Sequence, residues 1–171
     1  LLVKHLRSVF SSFSPYARTF KIGNAVNRRK WAFHSLDEYF DFFRIAQRLR
    51  DSEFPQIELL GGSIIDFELP NFARSLLHFH PIKYDAVAAL LYVDRRGAPE
   101  NRQLGSNLLG KISWFKSFMR LSSRCEDRLL ITETNWPLVN TEPFAPAVGD
   151  CMVDEEKQAA YLARYYLLAF A

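Results

Sequence analysis

The chain has 171 residues and a net charge of +3, with 22 basic and 19 acidic side chains; 49% of its residues are hydrophobic and 15% aromatic. This length and composition predict one globular domain spanning residues 1–171 and exclude a disordered chain. The balanced charge, without a dense basic tract, argues against a nucleic-acid partner. No run approaches the ~20 apolar residues of a membrane span, so we expect no membrane partner.

The chain ends, the cysteines and the histidines bear on localisation, disulfide bonding and metal binding. No secretory signal is visible, which favours the cytoplasm, but the first residue is Leu1 and not Met, as in a fragment or a processed product. Cys125 and Cys151 are too few for a disulfide framework or a metal pattern, so both are expected to be free, or joined once if the protein is exported. His78 and His80 lack a third ligand, and we interpret them as surface or capping residues. We expect no metal and no cofactor.

Apolar residues at helical spacing alternate with short apolar runs along the chain. The periodicity predicts helices that begin near residues 1, 36, 70, 108 and 155. The apolar runs predict strands at 19–23, 57–67, 84–93 and 129–137. The helix that begins near residue 155 is expected to bury a stripe formed by Ala159, Leu162, Ala163, Tyr166, Leu167 and Phe170. A loop of about fifteen residues after the last strand is long enough to suggest a functional role.

Local signals mark where these elements begin. Ser35 with Glu38 forms a capping box, Pro70 fits the first position of a helix, and Asp154 is a helix cap. Gly61-Gly62 inside the second strand predicts a bulge or a close backbone approach.

Strands that alternate with helices predict an α/β fold with a parallel sheet. Each predicted strand ends in polar or charged side chains, and parallel strands bring these ends to one face of the sheet. The side chains concerned are Asn24 and Asn27, Asp66 and Glu68, Asp94 and Arg95, and Glu133 and Asn135. No Gly-rich phosphate fingerprint follows a strand, which argues against a dinucleotide or P-loop site.

The stretch from Leu129 to Pro137 carries the clearest functional signal. Three apolar residues lead to Glu133, which is flanked by hydroxyl, amide and indole side chains. A carboxylate at the end of a buried strand is costly unless it is paired or used. Glu133 either forms a structural ion pair with an Arg of a neighbouring strand or takes part in a site. Acidic, amide and aromatic groups together suit a carbohydrate ligand, and glycoside hydrolysis uses two carboxyl groups.

The sequence Leu-Leu-Ile-Thr-Glu-Thr-Asn-Trp-Pro at 129–137 resembles the seventh strand of the retaining (β/α)8-barrel glycoside hydrolases of clan A. Ile-Gly-Asn-Ala-Val-Asn at 22–27 is similar to the Asn-Glu-Pro motif that ends the fourth strand of these enzymes. The resemblance implies a partial TIM barrel of about four parallel strands with flanking helices, corresponding to strands four to seven. A complete barrel needs about 250 residues, so the chain is interpreted as an incomplete barrel or fragment.

By this resemblance Glu133 is the nucleophile and Asn24 contacts a sugar hydroxyl. Tyr92 lines the pocket, and Trp136 forms the platform on which the sugar stacks. The other side chains at the strand ends are assigned to substrate binding: Asn27, Arg28, Asp66, Glu68 and Asn135.

The acid/base Glu of the family is replaced by Ala25, and a methyl group cannot protonate a leaving oxygen. Either a displaced carboxyl serves as the acid or the protein binds sugars without cleaving them. The candidate acids are Glu100, Asp94, Glu68 and Asp66, of which Glu100 and Asp94 are the leading ones. Asp94 and Glu100 have a structural alternative as ion-pair partners of Arg95, Arg96 or Arg102.

A third hypothesis is a small doubly wound α/β module in which the acids are structural; it requires the strand order to reverse at a switch point. An open four-stranded barrel piece would instead expose two sheet edges and favour self-association.

Overall fold

The computed structural model describes residues 1–141, 143 and 151–170, without the side chain of Arg95. Most of the long loop predicted after the last strand lies outside these residues. The helices are α1 (Leu2–Phe13), α2 (Arg29–Ala32), α3 (Leu36–Glu53), α4 (Leu69–Leu76), α5 (Leu108–Leu121) and α6 (Glu155–Ala169). The strands are β1 (Thr19–Lys21), β2 (Glu58–Ile65), β3 (Ala86–Leu90) and β4 (Leu129–Ile131).

The four strands form one parallel sheet in the order β1-β2-β3-β4. Each strand therefore pairs with the next one along the chain, and the order of this sheet does not reverse. The doubly wound alternative needs a reversal, so the described sheet does not support it. Sequential parallel strands joined by helices are the arrangement predicted from the alternating pattern.

The two faces of the sheet differ in what covers them. Outward side chains such as Leu59, Val87 and Ile131 pack against the helices in the main core. The opposite face carries a small separate cluster formed by Leu60, Ala86, Ala88 and Leu130. Side chains alternate along a strand, and Phe20 packs on the helical side, so Lys21 lies on this inner face.

A contact between the two edge strands reveals that the sheet is curved. The Lys21 Nζ atom lies 3.5 Å from the Thr132 hydroxyl, which directly follows β4. In a flat sheet β1 and β4 would be separated by three strand spacings, about 14 Å, which is more than the two side chains span. The inner face is therefore concave, as in a barrel wall.

The glycine pair in β2 has the two roles that the sequence predicted. The pairing of β2 with β3 shifts register between Gly62 and Ile64, which is a bulge. Gly61 lies against the Tyr84 ring so closely that an added Cβ would be 2.0 Å from a ring carbon. Gly62 has a φ of +82°, a conformation that favours glycine.

The helices begin where the predicted signals place them, except that α4 begins one residue earlier than expected. Ser35 and Glu38 form the capping box of α3, and the Asp154 side chain caps α6 by accepting from the Lys157 N–H at 2.7 Å. Pro70 lies at the second position of α4 rather than the first, because Leu69 begins the helix.

The buried stripe predicted for α6 is wrong except at Leu162, which packs against the core. Tyr165 is the buried residue of this helix, and Tyr161 and Leu162 pack beside it. Tyr166, Leu167 and Phe170 are exposed along with Ala159 and Ala163. The reason is that β4 forms the edge of the sheet, so no further strand or helix among the described residues covers that side of α6.

The remaining sequence expectations concern histidines, cysteines and membrane segments. His78 and His80 are half-buried around the Phe40 ring, so they pack and do not merely cap a helix. Both cysteines are free thiols. No described helix is long and apolar enough to cross a membrane. Among the described residues, no group of three or more His, Cys, Asp or Glu side chains is arranged to hold a metal ion.

Candidate functional site

Glu133 lies two residues beyond the last residue of β4, at the carboxyl end of the sheet. The Tyr92 hydroxyl, which follows β3, donates a hydrogen bond to its Oε1. The Arg96 guanidinium covers the Tyr92 ring at 4.8 Å from its centroid. The half-buried carboxylate of Glu133 is thus held by the hydroxyl of Tyr92, and the Arg96 guanidinium over the ring fixes Tyr92 in turn.

Tyr92 remains protonated in this arrangement. Burial raises the pKa of Tyr92, and the hydrogen bond to Glu133 and the charge of Glu133 raise it further. The phenol is therefore a fixed donor, which orients one oxygen of the carboxylate and leaves the second oxygen for another ligand.

Lys21 enters the site from the opposite edge of the sheet. Its Nζ donates to Asn24 Oδ1 at 2.6 Å and reaches Thr132 Oγ1 at 3.5 Å. Burial lowers the pKa of Lys21, while the charge of Glu133 acts in the other direction. The ammonium is therefore close enough to interact with Glu133 electrostatically, although the two form no direct ion pair among the described contacts.

Asn27 and Arg28 bind the end of β2. Asn27 Nδ2 donates to the Ile65 carbonyl at 3.1 Å and to Glu68 Oε2 at 2.8 Å, while its Oδ1 accepts from the Ile65 N–H at 2.9 Å. Arg28 pairs with Asp66 at 3.1 Å and with Glu68. These bonds fix the loop after β1 to the end of β2, so the amide of Asn27 is already engaged within the protein.

Glu68 is held as a carboxylate. Burial raises the pKa of its carboxyl, but hydrogen bonds from Asn27 and Asn71, together with Arg28, outweigh burial and leave the pKa below its ordinary value. The Asn71 bond is 2.6 Å long. This environment is the reverse of what a general acid needs.

A cleft of about 380 Å³ lies at the carboxyl end of the sheet, and its lining includes Arg28, Asp66, Glu68, Tyr92, Asp94 and Arg96. Glu133 lines a separate open groove of about 480 Å³ between β4 and α6. Lys111 lies buried nearby and donates to Gln103 at 2.8 Å. Burial lowers the pKa of Lys111, against the charges of Asp94 and Asp66. The cleft thus combines carboxylates with cations, a lining that can bind the hydroxyl groups of a polar ligand.

Glu100 is occupied elsewhere. It forms an exposed ion pair with Arg164 of α6, and hydrogen bonding by Arg164 lowers the pKa of Glu100. The partner differs from the arginines expected from sequence proximity, because α6 returns beside the loop that carries Glu100. Glu100 is not among the described residues that line the cleft.

The sugar platform expected of Trp136 does not match the geometry. The indole is fully buried, donates its N–H to the Gly97 carbonyl at 2.9 Å, and has Tyr161 and Tyr165 edge-on to it. It therefore acts as a core residue beneath the site. Asn135 is exposed and its side-chain oxygen accepts from Gln158 at 3.5 Å.

Sequence reasoning missed four residues near the site: Lys21, Arg96, Lys111 and Thr132. Lys21 had a detectable signal, since it is the charged residue of a strand whose neighbours Phe20 and Ile22 are apolar. The contact of Lys21 with Thr132 had none, because it depends on sheet curvature.

The sequence matches no protein-family model and no curated protein. Similar solved structures include a GH39 enzyme from Xanthomonas axonopodis pv. citri, with a TM-score of 0.55 and 16% identity. Another is a GH39 β-xylosidase from Caulobacter crescentus, with a TM-score of 0.53 and 15% identity. Each superposition covers 78% of this chain but only 29% or 28% of the other one. The chain therefore has a glycoside hydrolase-like α/β fold, with four parallel strands and flanking helices that correspond to part of a TIM barrel.

Proposed function

We propose that this chain is the nucleophile-bearing part of a retaining glycoside hydrolase, with Glu133 as the nucleophile. The observation that carries the proposal is the hydrogen bond from Tyr92 to Glu133 at the carboxyl end of the parallel sheet. Active sites of (β/α)8 barrels lie at that end. The chain spans less than a third of the similar structures, so the remaining wall of the pocket would come from outside these 171 residues.

In this mechanism the free oxygen of the Glu133 carboxylate attacks the anomeric carbon and the bond to the leaving oxygen breaks, giving a glycosyl ester. Tyr92 orients the carboxylate, and Asn24 and Asp94 are available to sugar hydroxyls at the strand ends. Asn27, Arg28, Asp66 and Glu68 are bonded to one another or to β2, so they shape the rim.

A carbohydrate-binding protein without hydrolytic activity is the second candidate, and a specific observation favours it. Ala25 is buried at the position expected for the acid/base, with a φ of 46°. In this case the cleft would bind sugar but leave the glycosidic bond intact.

The experiment is trapping of the nucleophile in the complete protein with 2,4-dinitrophenyl 2-deoxy-2-fluoro-β-D-xyloside. One similar structure is described as a β-xylosidase, which makes xylose the first sugar to use; the corresponding glucoside and galactoside follow. The leaving group departs without protonation, so a nucleophile reacts even where an acid is missing.

The expected result is one 2-deoxy-2-fluoroxylosyl adduct, located on the Glu133 peptide by mass spectrometry and absent from Glu133→Gln. Glu100→Gln is the matched control, because its carboxylate is paired with Arg164 outside the cleft, and it should label at the unaltered rate. Binding of xylo-oligosaccharides without any adduct from the three reagents would support the second candidate instead.

A further inference from the structure

The Lys21 side chain connects the ends of β1 and β4 across the concave face of the sheet. Its ammonium donates to Asn24 at the end of β1 and lies 3.5 Å from Thr132, the residue before Glu133. Nζ thus lies beside the residue that precedes Glu133, without a direct ion pair to Glu133 among the described contacts.

The carboxyl groups of the cleft are poorly suited to replace the acid lost at Ala25. Glu68 is bound by three donors, and Asp66 is paired with Arg28. Asp94 follows β3, and β2 separates β3 from β1, the strand that leads to the lost position. Ala25 directly follows Asn24, the residue that holds the Lys21 ammonium. The Lys21 ammonium is therefore a proton donor held by the residue next to the lost position.

We propose that Lys21 is the general acid and base of this site, a role that rests on the proposed function of Glu133. In the first step Glu133 bonds to the anomeric carbon as the bond to the leaving oxygen breaks, and a proton passes from the Lys21 ammonium to that oxygen. The products are an alcohol, a glycosyl ester and a neutral amine. In the second step the amine takes a proton from water as the water oxygen bonds to the anomeric carbon and the ester bond breaks. This step releases the sugar and restores the Glu133 carboxylate and the Lys21 ammonium.

The electrostatics of the site support this exchange of roles. Burial lowers the pKa of Lys21 towards the range in which an amine can both give and take a proton. The Glu133 charge opposes that shift, and it disappears when Glu133 becomes an ester. The pKa of the amine therefore falls further after the first step, which keeps the amine in the neutral form that accepts the proton of the attacking water.

The test measures the dependence of Lys21 variants on the leaving group, with the complete protein and 2,4-dinitrophenyl and phenyl β-D-xylosides. Lys21→Arg keeps the charge and the donors but cannot release a proton, and Lys21→Met removes all of them. We expect both variants to lose ~100- to 10,000-fold in kcat/KM on the phenyl xyloside. On the dinitrophenyl xyloside, whose leaving group needs no proton, the loss in the first step should be below ~10-fold.

Azide provides a second readout, because it attacks the glycosyl ester without a general base. Azide should raise the turnover of the dinitrophenyl xyloside by Lys21→Met and yield xylosyl azide. Lys116→Arg, an exposed lysine on α5, is the matched control and should behave as the unaltered protein.

Two results would overturn the proposal: equal losses on both xylosides, or a Lys21→Arg variant as active as the unaltered protein on the phenyl xyloside. The trapping reagent separates this failure from failure of the proposed function. If the Lys21 variants still acquire the adduct on Glu133, the variants are folded and Glu133 keeps its role. If the unaltered protein acquires no adduct, the proposed function falls and the role of Lys21 falls with it.

Discussion

Tyr92 and Glu133, which follow adjacent strands, are joined by a hydrogen bond in which the phenol donates and the carboxylate accepts. The bond fixes one oxygen of Glu133, and the Arg96 guanidinium over the Tyr92 ring fixes the donor in turn. The pair links the ends of β3 and β4 at the carboxyl end of the sheet. Its removal tests whether that geometry matters for the proposed chemistry.

Tyr92→Phe should reduce kcat/KM by ~10- to 100-fold, because a hydrogen bond to a charged group contributes about 1.5–3 kcal/mol. Tyr165→Phe is the matched control: it also loses a phenol hydrogen bond, to the Leu91 carbonyl at 2.5 Å. That variant should lose about 1 kcal/mol of stability but keep the unaltered kcat/KM. An unchanged kcat/KM in Tyr92→Phe would remove Tyr92 from the site.

Gly61→Ala should destabilise the protein by about 1–3 kcal/mol, as expected for overpacking. The added Cβ would lie 2.0 Å from a carbon of the buried Tyr84 ring, so the ring or β2 must shift. Urea unfolding followed by circular dichroism measures the change. Gly105→Ala is the control, because its Cβ would meet nothing within 4 Å and only its positive φ of 79° adds strain. A Gly61→Ala variant no less stable than Gly105→Ala would contradict the close approach of β2 to Tyr84.

The free energy of unfolding should fall as the pH drops from about 6.5 to about 4. Burial lowers the pKa of His78 from 6.5 to about 4, and the charges of His80 and Arg124 contribute. The unfolded chain binds this proton below pH 6.5 while the folded protein does not, so protonation favours unfolding. The stabilising contribution of the neutral His78 ring is fully present above pH 6.5, the pKa in the unfolded chain. It is lost as the pH falls towards about 4, the pKa in the folded protein. Because of His78, the free energy of unfolding changes by at most about 1.4 kcal/mol per pH unit, and by less than that because the ring is only half-buried.

Urea titrations at several pH values measure that slope. His78→Gln should flatten it, whatever the variant does to absolute stability. His5→Gln, at an exposed position of α1, should leave the slope unchanged. A slope that survives in His78→Gln would assign the pH dependence to other groups.

The 171-residue chain should self-associate at micromolar concentration. No strand among the described residues pairs with the outer edge of β4. This edge and the end of α6 form an open groove of about 480 Å³ that includes Ile131, Glu133, Tyr166 and Phe170. Tyr166 and Phe170 are 57% and 86% exposed, and open strand edges favour association. Sedimentation analysis should find species larger than the monomer and a shift to the monomer for Tyr166→Glu/Phe170→Glu. Phe79→Glu, at a 98% exposed position outside this groove, should not shift the distribution; a monomeric unaltered chain would contradict the prediction.

The sequence by itself determined the elements and their class. Helical periodicity, the Ser35 capping box and the Asp154 cap are local signals, and the helices begin where these signals predict. The alternation of helices with apolar strands predicted a parallel sheet, because parallel strands need crossover connections. Gly61-Gly62 similarly predicted the irregularity of β2, since close backbone approach requires a missing side chain.

Only the tertiary structure decided how side chains from distant strands meet. Trp136 was predicted to be a surface platform, but its burial depends on how α6 returns over β4, which periodicity does not encode. The exposure of Tyr166 and Phe170 has the same origin, because an apolar stripe on a helix is buried only where another element covers it. Lys21 and Thr132 are 111 positions apart and meet because the sheet curves. Curvature is a collective property of strand twist and packing, so no local pattern could place the Lys21 ammonium opposite Glu133.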